Sequence, residues 1–166
     1  MKYSLDVTPG QGYAEFLRRA PEVTKTELGS GLDEATALYT REVKEATPVG
    51  VTALLRQSIT NERRDEGNEL ASRIFSPLVY AAPVELGTKP HYPPIEPLQD
   101  WVRKKLDVTV EEDVQRVARL IQWKIGRKGT RARNMFGSTL GRLTPQMSEI
   151  VRRAYARLVD RLSEGR

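Results

Sequence analysis

The amino-acid sequence predicts an α+β fold, a single small domain in which a β-hairpin and a short N-terminal strand pack against long amphipathic helices. Three segments carry apolar residues at spacings of three and four, the period of an amphipathic helix. They run over about Leu32 to Ala46, Val110 to Ile125 and Pro145 to Leu162. Two short alternating segments between Leu54 and Phe75 supply the predicted hairpin. Because 166 residues suffice for one hydrophobic core, we expect one domain over residues 1–166.

The N-terminal part is predicted to contain a strand followed by helices. Tyr3 to Val7 alternates as a short strand does, and a small helix is expected from Tyr13 to Arg19. Pro21 is placed to open a second helical region. Gly29 to Gly31 is expected to weaken or interrupt the helical structure before the helix from Leu32 to Ala46.

The hairpin is predicted from two segments that flank a turn. Leu54 to Arg63 and Leu70 to Phe75 lie on either side of Asp65-Glu66-Gly67-Asn68, whose residues favour a tight reversal. The arginines in these segments suit either a hairpin inserted into a partner or a solvated sheet face.

A proline-rich segment separates the hairpin from the C-terminal helices. Tyr80 to Val84 is apolar and partly helical, and Gly87 is expected to end that turn with a positive φ. Lys89 to Pro94 continues neither a helix nor a central strand, because prolines remove backbone donors and restrict the preceding residues. Pro97 is predicted as the first residue of the next helix, which extends to about Leu106. We therefore expect a stiff elbow between two helical segments.

The C-terminal part is predicted to hold two long helices joined by a basic loop. Thr109 and Glu112 have the spacing of a capping box, and the helix that they open is expected to end at Gly126. The basic loop follows at about 126–134. Thr144 with Pro145 is predicted to open the last helix, at about 145–163.

The chain is basic, with 27 Lys and Arg against 22 Asp and Glu and a net charge of +5. A group of cations near the basic loop comprises Lys124, Arg127, Lys128, Arg131 and Arg133. They are expected either to be solvated side chains or to form a surface that faces phosphate or an acidic protein partner.

Few residues suit catalysis or metal binding. The absence of Cys excludes disulfides, thiolate metal sites and thiol nucleophiles. His91 is the one histidine, and acid–base catalysis would require a positioned partner such as Glu85 together with a cleft. Gly126 to Thr130 lacks the spacing of a phosphate-binding loop. We therefore expect no enzyme, cofactor or metal, with a small hydrolase using His91 and Glu85 as the least favoured alternative.

No segment approaches the run of about 18 apolar residues that a bilayer-spanning helix needs. The N-terminus also lacks the apolar stretch of a secretory signal. We expect a chain that is made in the cytoplasm and does not enter a membrane.

Three short motifs occur in order along the chain: Thr47-Pro48-Val49-Gly50 with Leu55-Arg56-Gln57-Ser58-Ile59, then Tyr80-Ala81, Val84-Glu85 and Gly87-Thr88, then Gly129-Thr130-Arg131-Ala132-Arg133-Asn134-Met135-Phe136. Together they resemble the tail-completion family of tailed bacteriophages, also described as head-tail joining, neck or minor tail proteins. The third motif matches well. The first departs from the family pattern, because Val49-Gly50 precede Val51-Thr52 where Thr-Gly is usual.

The resemblance implies a structural virion protein that forms a ring, expected to be six-fold, at the head-proximal end of a phage tail or neck. The ring would join the tail to the head connector. The implied partners are other copies of the chain, a connector or stopper protein, a tail terminator or tube protein, and packaged DNA in a transient contact. The implied location is the virion, after assembly in the host cytoplasm.

The family residues carried over to this chain are Leu55, Arg56, Ser58, Tyr80, Ala81, Glu85, Gly87 and Thr88. Their expected role is structural, and Glu85 is expected either to accept from a basic partner on a neighbouring subunit or to cap a local turn. A protein that binds nucleic acid without sequence preference, through Lys124 to Arg133, is the alternative from a different class.

Overall fold

The computed structural model describes residues 11–66 and 69–164, and they are mostly helical. In chain order the elements are α1 Gln11–Ala46, α2 Leu54–Ser58, β1 Thr60–Glu66, β2 Glu69–Phe75, α3 Ala81–Leu86, α4 Ile95–Leu106, α5 Glu111–Lys128 and α6 Met135–Ser163. The two strands form an antiparallel hairpin that packs against long helices, which confirms the fold class at this level. The predicted strand from Tyr3 to Val7 lies outside the described residues.

Contacts group the chain into two compact units. Unit 1 contains the described parts of Met1–Leu38, Glu62–Arg73 and Leu143–Arg166. Unit 2 contains Tyr39–Asn61 and Ile74–Arg142. The single domain over residues 1–166 stays a prediction.

Unit 1 is built on a close approach of α1 to α6. A methyl group added to Gly31 would lie 2.5 Å from Cβ of Ala154, so a larger residue does not fit without movement. Near this contact, the buried carboxylate of Glu27 accepts from Arg157 at 3.1 Å and pairs with Arg161 at 3.0 Å. These two charge-assisted contacts compensate for removing the Glu27 carboxylate from water.

Helix α1 is continuous, so the prediction of separate helices before Leu32 is wrong. Pro21 lies inside α1. Gly29 and Gly31 are both buried, with Gly29 facing the Arg63 guanidinium and Gly31 facing Ala154. The two glycines therefore provide room for packing within a helix, where the sequence pattern was interpreted as a weak point within or between helices.

The hairpin begins later than predicted. The predicted first strand started at Leu54, but Leu54–Ser58 forms α2 and β1 starts at Thr60. One turn of helix carries Leu55 into the core of unit 2, where it is only 6% exposed. In unit 1 the hairpin is tied to α1 by an ion pair of 2.7 Å between Arg63 and Asp33. Gly67 and Asn68 of the predicted turn lie outside the described residues.

Helices α4 and α5 pack together in unit 2 around the fully buried side chains of Val102, Val114 and Ala118. Helix α4 begins at Ile95, two residues before the predicted start at Pro97. Pro97 remains in the first turn, where its missing N–H removes no helical hydrogen bond.

The predicted capping box of α5 is wrong. The N-cap residue is Val110 and makes no side-chain cap, so Thr109 lies outside the helix. Glu111, Glu112 and Asp113 instead place three carboxylates in the first turn, where they interact favourably with the helix dipole. Helix α5 also passes through the predicted end at Gly126 and stops before Gly129.

Helix α6 starts at Met135, ten residues before the predicted start at Pro145, which lies inside the helix. Met135 and Thr139 are buried, 1% and 2% exposed, so the extra N-terminal turns contribute to the core of unit 2. Glu85 of α3 also caps the N-terminus of α6 and so favours the early start.

Candidate functional site

The three sequence motifs meet in unit 2. A buried cluster joins Leu55 of α2, Ala81 of α3 and Met135 of α6, one residue from each motif. Val84 and Phe136 pack against the same cluster. One hydrophobic cluster therefore holds together segments that are about 25 to 80 residues apart in sequence.

Glu85 caps the N-terminus of α6 from a distant part of the chain. Its Oε2 accepts the Phe136 N–H and its Oε1 accepts the Gly137 N–H, each at 3.1 Å. These N–H groups belong to the first turn of α6, which has no intrahelical acceptors for them. The carboxylate also lies at the positive end of the helix dipole. Of the two roles expected for Glu85, the structure places it as a cap, but of a helix about fifty residues later instead of a local turn.

The backbone of α3 accepts hydrogen bonds from the same segment. The carbonyls of Val84 and Glu85, at the end of α3, accept the N–H groups of Arg133 and Asn134, both at 3.0 Å. The last carbonyls of α3 are thus satisfied by the two residues that precede α6. We call this arrangement of residues 84–85 and 133–137 the α3–α6 joint.

Tyr39 of α1 supports the joint from within unit 2. Its hydroxyl donates to the Phe136 carbonyl at 3.0 Å, and the side chain is buried. Burial raises the pKa of the Tyr39 phenol above its ordinary value of 10.0, and the negative charge of Glu85 raises it further. The sequence did not indicate a polar role for Tyr39, because its spacing is that of one more apolar residue on the buried face of α1.

Gly87 and Thr88 contact the segment that follows α5. Thr88 and Thr130 form an isolated β-bridge, with N–H to carbonyl distances of 3.1 and 3.2 Å. Gly87 has φ 74, which confirms its predicted conformation. A methyl group there would lie 2.5 Å from the Thr130 carbonyl oxygen, so glycine is required by both conformation and space.

The first-motif residues make internal polar contacts. Arg56 donates to the carbonyl of Thr47 at 2.9 Å and so binds the chain just after α1. Ser58 bonds the Leu55 carbonyl and the Ser76 hydroxyl, both at 2.8 Å. Tyr80, at the N-cap of α3, keeps a side chain that is 44% exposed.

The cations predicted near the basic loop occupy two settings. Lys124, Arg127 and Lys128 lie on the last turns of α5, and Arg131 and Arg133 on the segment before α6. All five are exposed, and none forms an ion pair with a carboxylate among the residues that the structure describes. The Arg127 guanidinium lies over the Trp123 ring, 4.8 Å from its centre.

The His91 side chain is exposed and forms no hydrogen bond or ion pair with Glu85. Its Nδ1 lies 3.0 Å from the Lys89 carbonyl oxygen. Both Glu85 carboxylate oxygens are occupied by N–H groups of α6. Within residues 11–66 and 69–164, no three or more His, Cys, Asp or Glu side chains are grouped so that they could hold a metal ion.

Comparison of the chain with models of protein families, with curated proteins and with solved structures found no match. Of the described helices, none is both long and apolar enough to cross a membrane. No family is therefore assigned to the chain, and its function has to be inferred from its own residues.

Proposed function

We propose that this protein is a structural assembly subunit of the tail-completion type. It forms a ring at the head-proximal end of a phage tail or neck and joins the tail to the head connector. Its mechanism is binding, with ring closure burying complementary faces of neighbouring copies.

The observation that carries this proposal is the meeting of all three motifs in unit 2. The motif residues make the Leu55–Ala81–Met135 cluster, the α3–α6 joint and the Thr88–Thr130 bridge. Every one of these contacts holds backbone segments together, so the motif residues serve to stabilise the fold of unit 2. A motif set that builds a framework is what a structural subunit requires, whereas an enzyme would direct such polar groups into a cleft.

Exposed apolar side chains supply candidate faces for association. On α6, within unit 1, Val151, Tyr155 and Val159 follow one another at intervals of four residues and are 44%, 56% and 58% exposed. On α5, within unit 2, Leu120 and Trp123 are 62% and 54% exposed. Apolar stripes of this kind on a charged helix are typical of surfaces that bind other proteins. A closed ring uses two different faces of each copy, and the chain offers two separate stripes.

The proposal is tested by joining purified heads and tails in vitro with the full-length protein. Val151→Glu with Tyr155→Glu puts two carboxylates into the α6 stripe, and we expect joining to fall by at least tenfold. Gln146→Glu with Ala156→Glu is the matched control, because it adds the same charge to exposed positions of α6 outside the stripe. Equal joining by the two variants would show that the α6 stripe is not an assembly face. Heads and tails that join without the protein would refute the proposed function.

A further inference from the structure

The structure adds a sixth cation to the five expected from the sequence. The Thr88–Thr130 bridge brings the elbow against the segment after α5, and Lys89 follows directly on Thr88. Two further contacts hold the elbow there: the His91 N–H donates to the Ile125 carbonyl at 3.4 Å, and the Tyr92 ring packs on Gly126. We call the resulting surface the basic ridge, and it consists of Lys89, Lys124, Arg127, Lys128, Arg131 and Arg133.

The basic ridge is not neutralised by the described part of the chain. Some cations of unit 2 have carboxylate partners, since Arg103 binds Glu111 at 2.8 Å and Arg116 binds Asp113 at 2.7 Å, whereas Arg119, Lys104 and Lys105 form no ion pair with a described residue. No ridge cation has such a partner among the described residues. Glu85, the acidic residue that precedes Lys89 most closely, binds α6 with both carboxylate oxygens. The ridge therefore produces a positive electrostatic potential that no paired carboxylate of the described residues cancels.

Stabilisation of a helix end explains only part of this arrangement. Arg127 and Lys128 lie in the last turn of α5, where positive charge is favourable by about 0.3–1 kcal/mol each. That effect falls off within one turn, so it does not account for Lys89, Arg131 and Arg133. Together with the cations of α5, those three form a basic surface that is accessible to an anionic ligand.

We propose that the basic ridge binds the phosphate backbone of duplex nucleic acid without reading its sequence. Lys124 and Lys128 are separated by roughly 6 Å along α5, about two phosphate steps of one strand. A single strand is less suitable, because it binds through successive stacked aromatic rings, and among the described residues the ridge has two aromatic neighbours: Trp123, with Arg127 over its face, and Tyr92, whose ring packs on Gly126. Protein partners bind through buried apolar anchors. The residues from Arg127 to Arg133 include no large apolar side chain, and the neighbouring Trp123, which is exposed on α5, has Arg127 over one face of its ring. This inference does not depend on ring formation.

The test measures binding of the full-length protein to a labelled duplex by fluorescence anisotropy at several salt concentrations. The ridge variant is Arg127→Gln with Lys128→Gln and Arg131→Gln. The control, Lys25→Gln with Lys104→Gln and Lys105→Gln, removes the same charge from exposed lysines elsewhere. We expect the ridge variant to bind at least tenfold more weakly at about 0.1 M salt. The slope of log K against log salt should flatten by roughly 2–3, since each phosphate contact contributes about 0.9.

Several outcomes separate this proposal from its competitors. Lys89→Gln alone should flatten the slope by about 0.9, which tests the contribution of the elbow. Equal losses in the ridge variant and the control would contradict the proposal, as would absence of duplex binding by the wild type at low salt. Tighter binding of a poly-glutamate peptide than of a duplex with equal charge would instead assign the ridge to an acidic protein. Tighter binding of a single strand would overturn the choice of a duplex.

Discussion

At the scale of single residues, Glu85 connects a short helix to a long one. Its two carboxylate oxygens accept from the first turn of α6, and its carbonyl accepts from Asn134. Asn134 has φ 50, a conformation that asparagine tolerates better than most residues. The start of α6 thus depends on a side chain about fifty residues earlier and on a strained turn next to it.

Replacement of Glu85 by Ala is expected to lower the free energy of unfolding by about 2 kcal/mol, because two N–H groups of α6 lose a charged acceptor. For a chain of this size the melting temperature should fall by roughly 4–8 °C. Glu69→Ala, at an exposed strand position, is the control and should change little. Chemical denaturation checks both, and equal stabilities for the two variants would show that the α3–α6 joint contributes nothing.

Tyr39 predicts a loss of stability at alkaline pH. Because the pKa of its phenol is raised in the folded chain, the corresponding stability is intact below pH 10.0 and is lost as the pH rises through the folded-state pKa. Tyr39→Phe lacks the bond to Phe136 and should be less stable by about 1 kcal/mol near neutral pH. The variant also lacks the alkaline loss, so its stability should approach that of the wild type as the pH rises above 10.0. A difference in stability between Tyr39→Phe and the wild type that stays constant over this range would contradict the role assigned to the Tyr39 phenol. We expect such a constant difference for the control Tyr80→Phe.

At the scale of elements, two glycines in long helices have opposite surroundings. Gly31 of α1 faces Ala154, whereas Gly141 of α6 has no atom within 4 Å of an added methyl group. Replacing glycine by alanine stabilises a helix by up to about 1 kcal/mol where there is room. Overpacking costs about 1–3 kcal/mol where there is none.

We therefore expect Gly31→Ala to destabilise the protein by about 1–2 kcal/mol and Gly141→Ala to stabilise it by about 0.5–1 kcal/mol. Thermal and chemical unfolding of the two variants side by side gives the sign of each effect. If Gly31→Ala proved stabilising, the close approach of α1 and α6 within unit 1 would be wrong.

The elements that could be predicted from the sequence depend on local signals. Gly87 ends α3 with a positive φ as expected, and the stripe through Val114 and Ile121 forms part of α5. The errors arose where a residue's role is decided by distant partners. Gly31 is a packing position because Ala154 lies against it, and α6 starts at Met135 because Glu85 caps it. Neither partner is visible in a local sequence window.

The candidate site was also predictable only in part. The sequence located the five cations and the motif residues, and it indicated a structural role for the motifs. It did not indicate that Lys89 lies beside the basic loop, because the Thr88–Thr130 bridge connects positions 42 residues apart. It also left the role of Glu85 open, since capping of a remote helix has no spacing pattern.

At the scale of the whole molecule, the two proposals require that protein copies and nucleic acid bind to different surfaces of the chain. The α6 stripe of Val151, Tyr155 and Val159 belongs to unit 1, and the basic ridge belongs to unit 2. The stripe is apolar and suits association between protein copies, whereas the ridge is charged and suits a polyanion. Association through the stripe should therefore depend weakly on salt, and binding through the ridge should depend strongly on it.

The most direct test of ring assembly is the mass and shape of the full-length protein in solution, measured by mass photometry and by electron microscopy of stained particles. We expect ring-shaped particles with a mass near six times that of the 18.8 kDa chain, with the purified protein alone or when the connector is added. Val151→Glu with Tyr155→Glu should shift the particles towards single copies, and Gln146→Glu with Ala156→Glu should not. Single copies of the wild type at concentrations up to about 100 µM, with and without the connector, would contradict the proposal that this protein works as a ring.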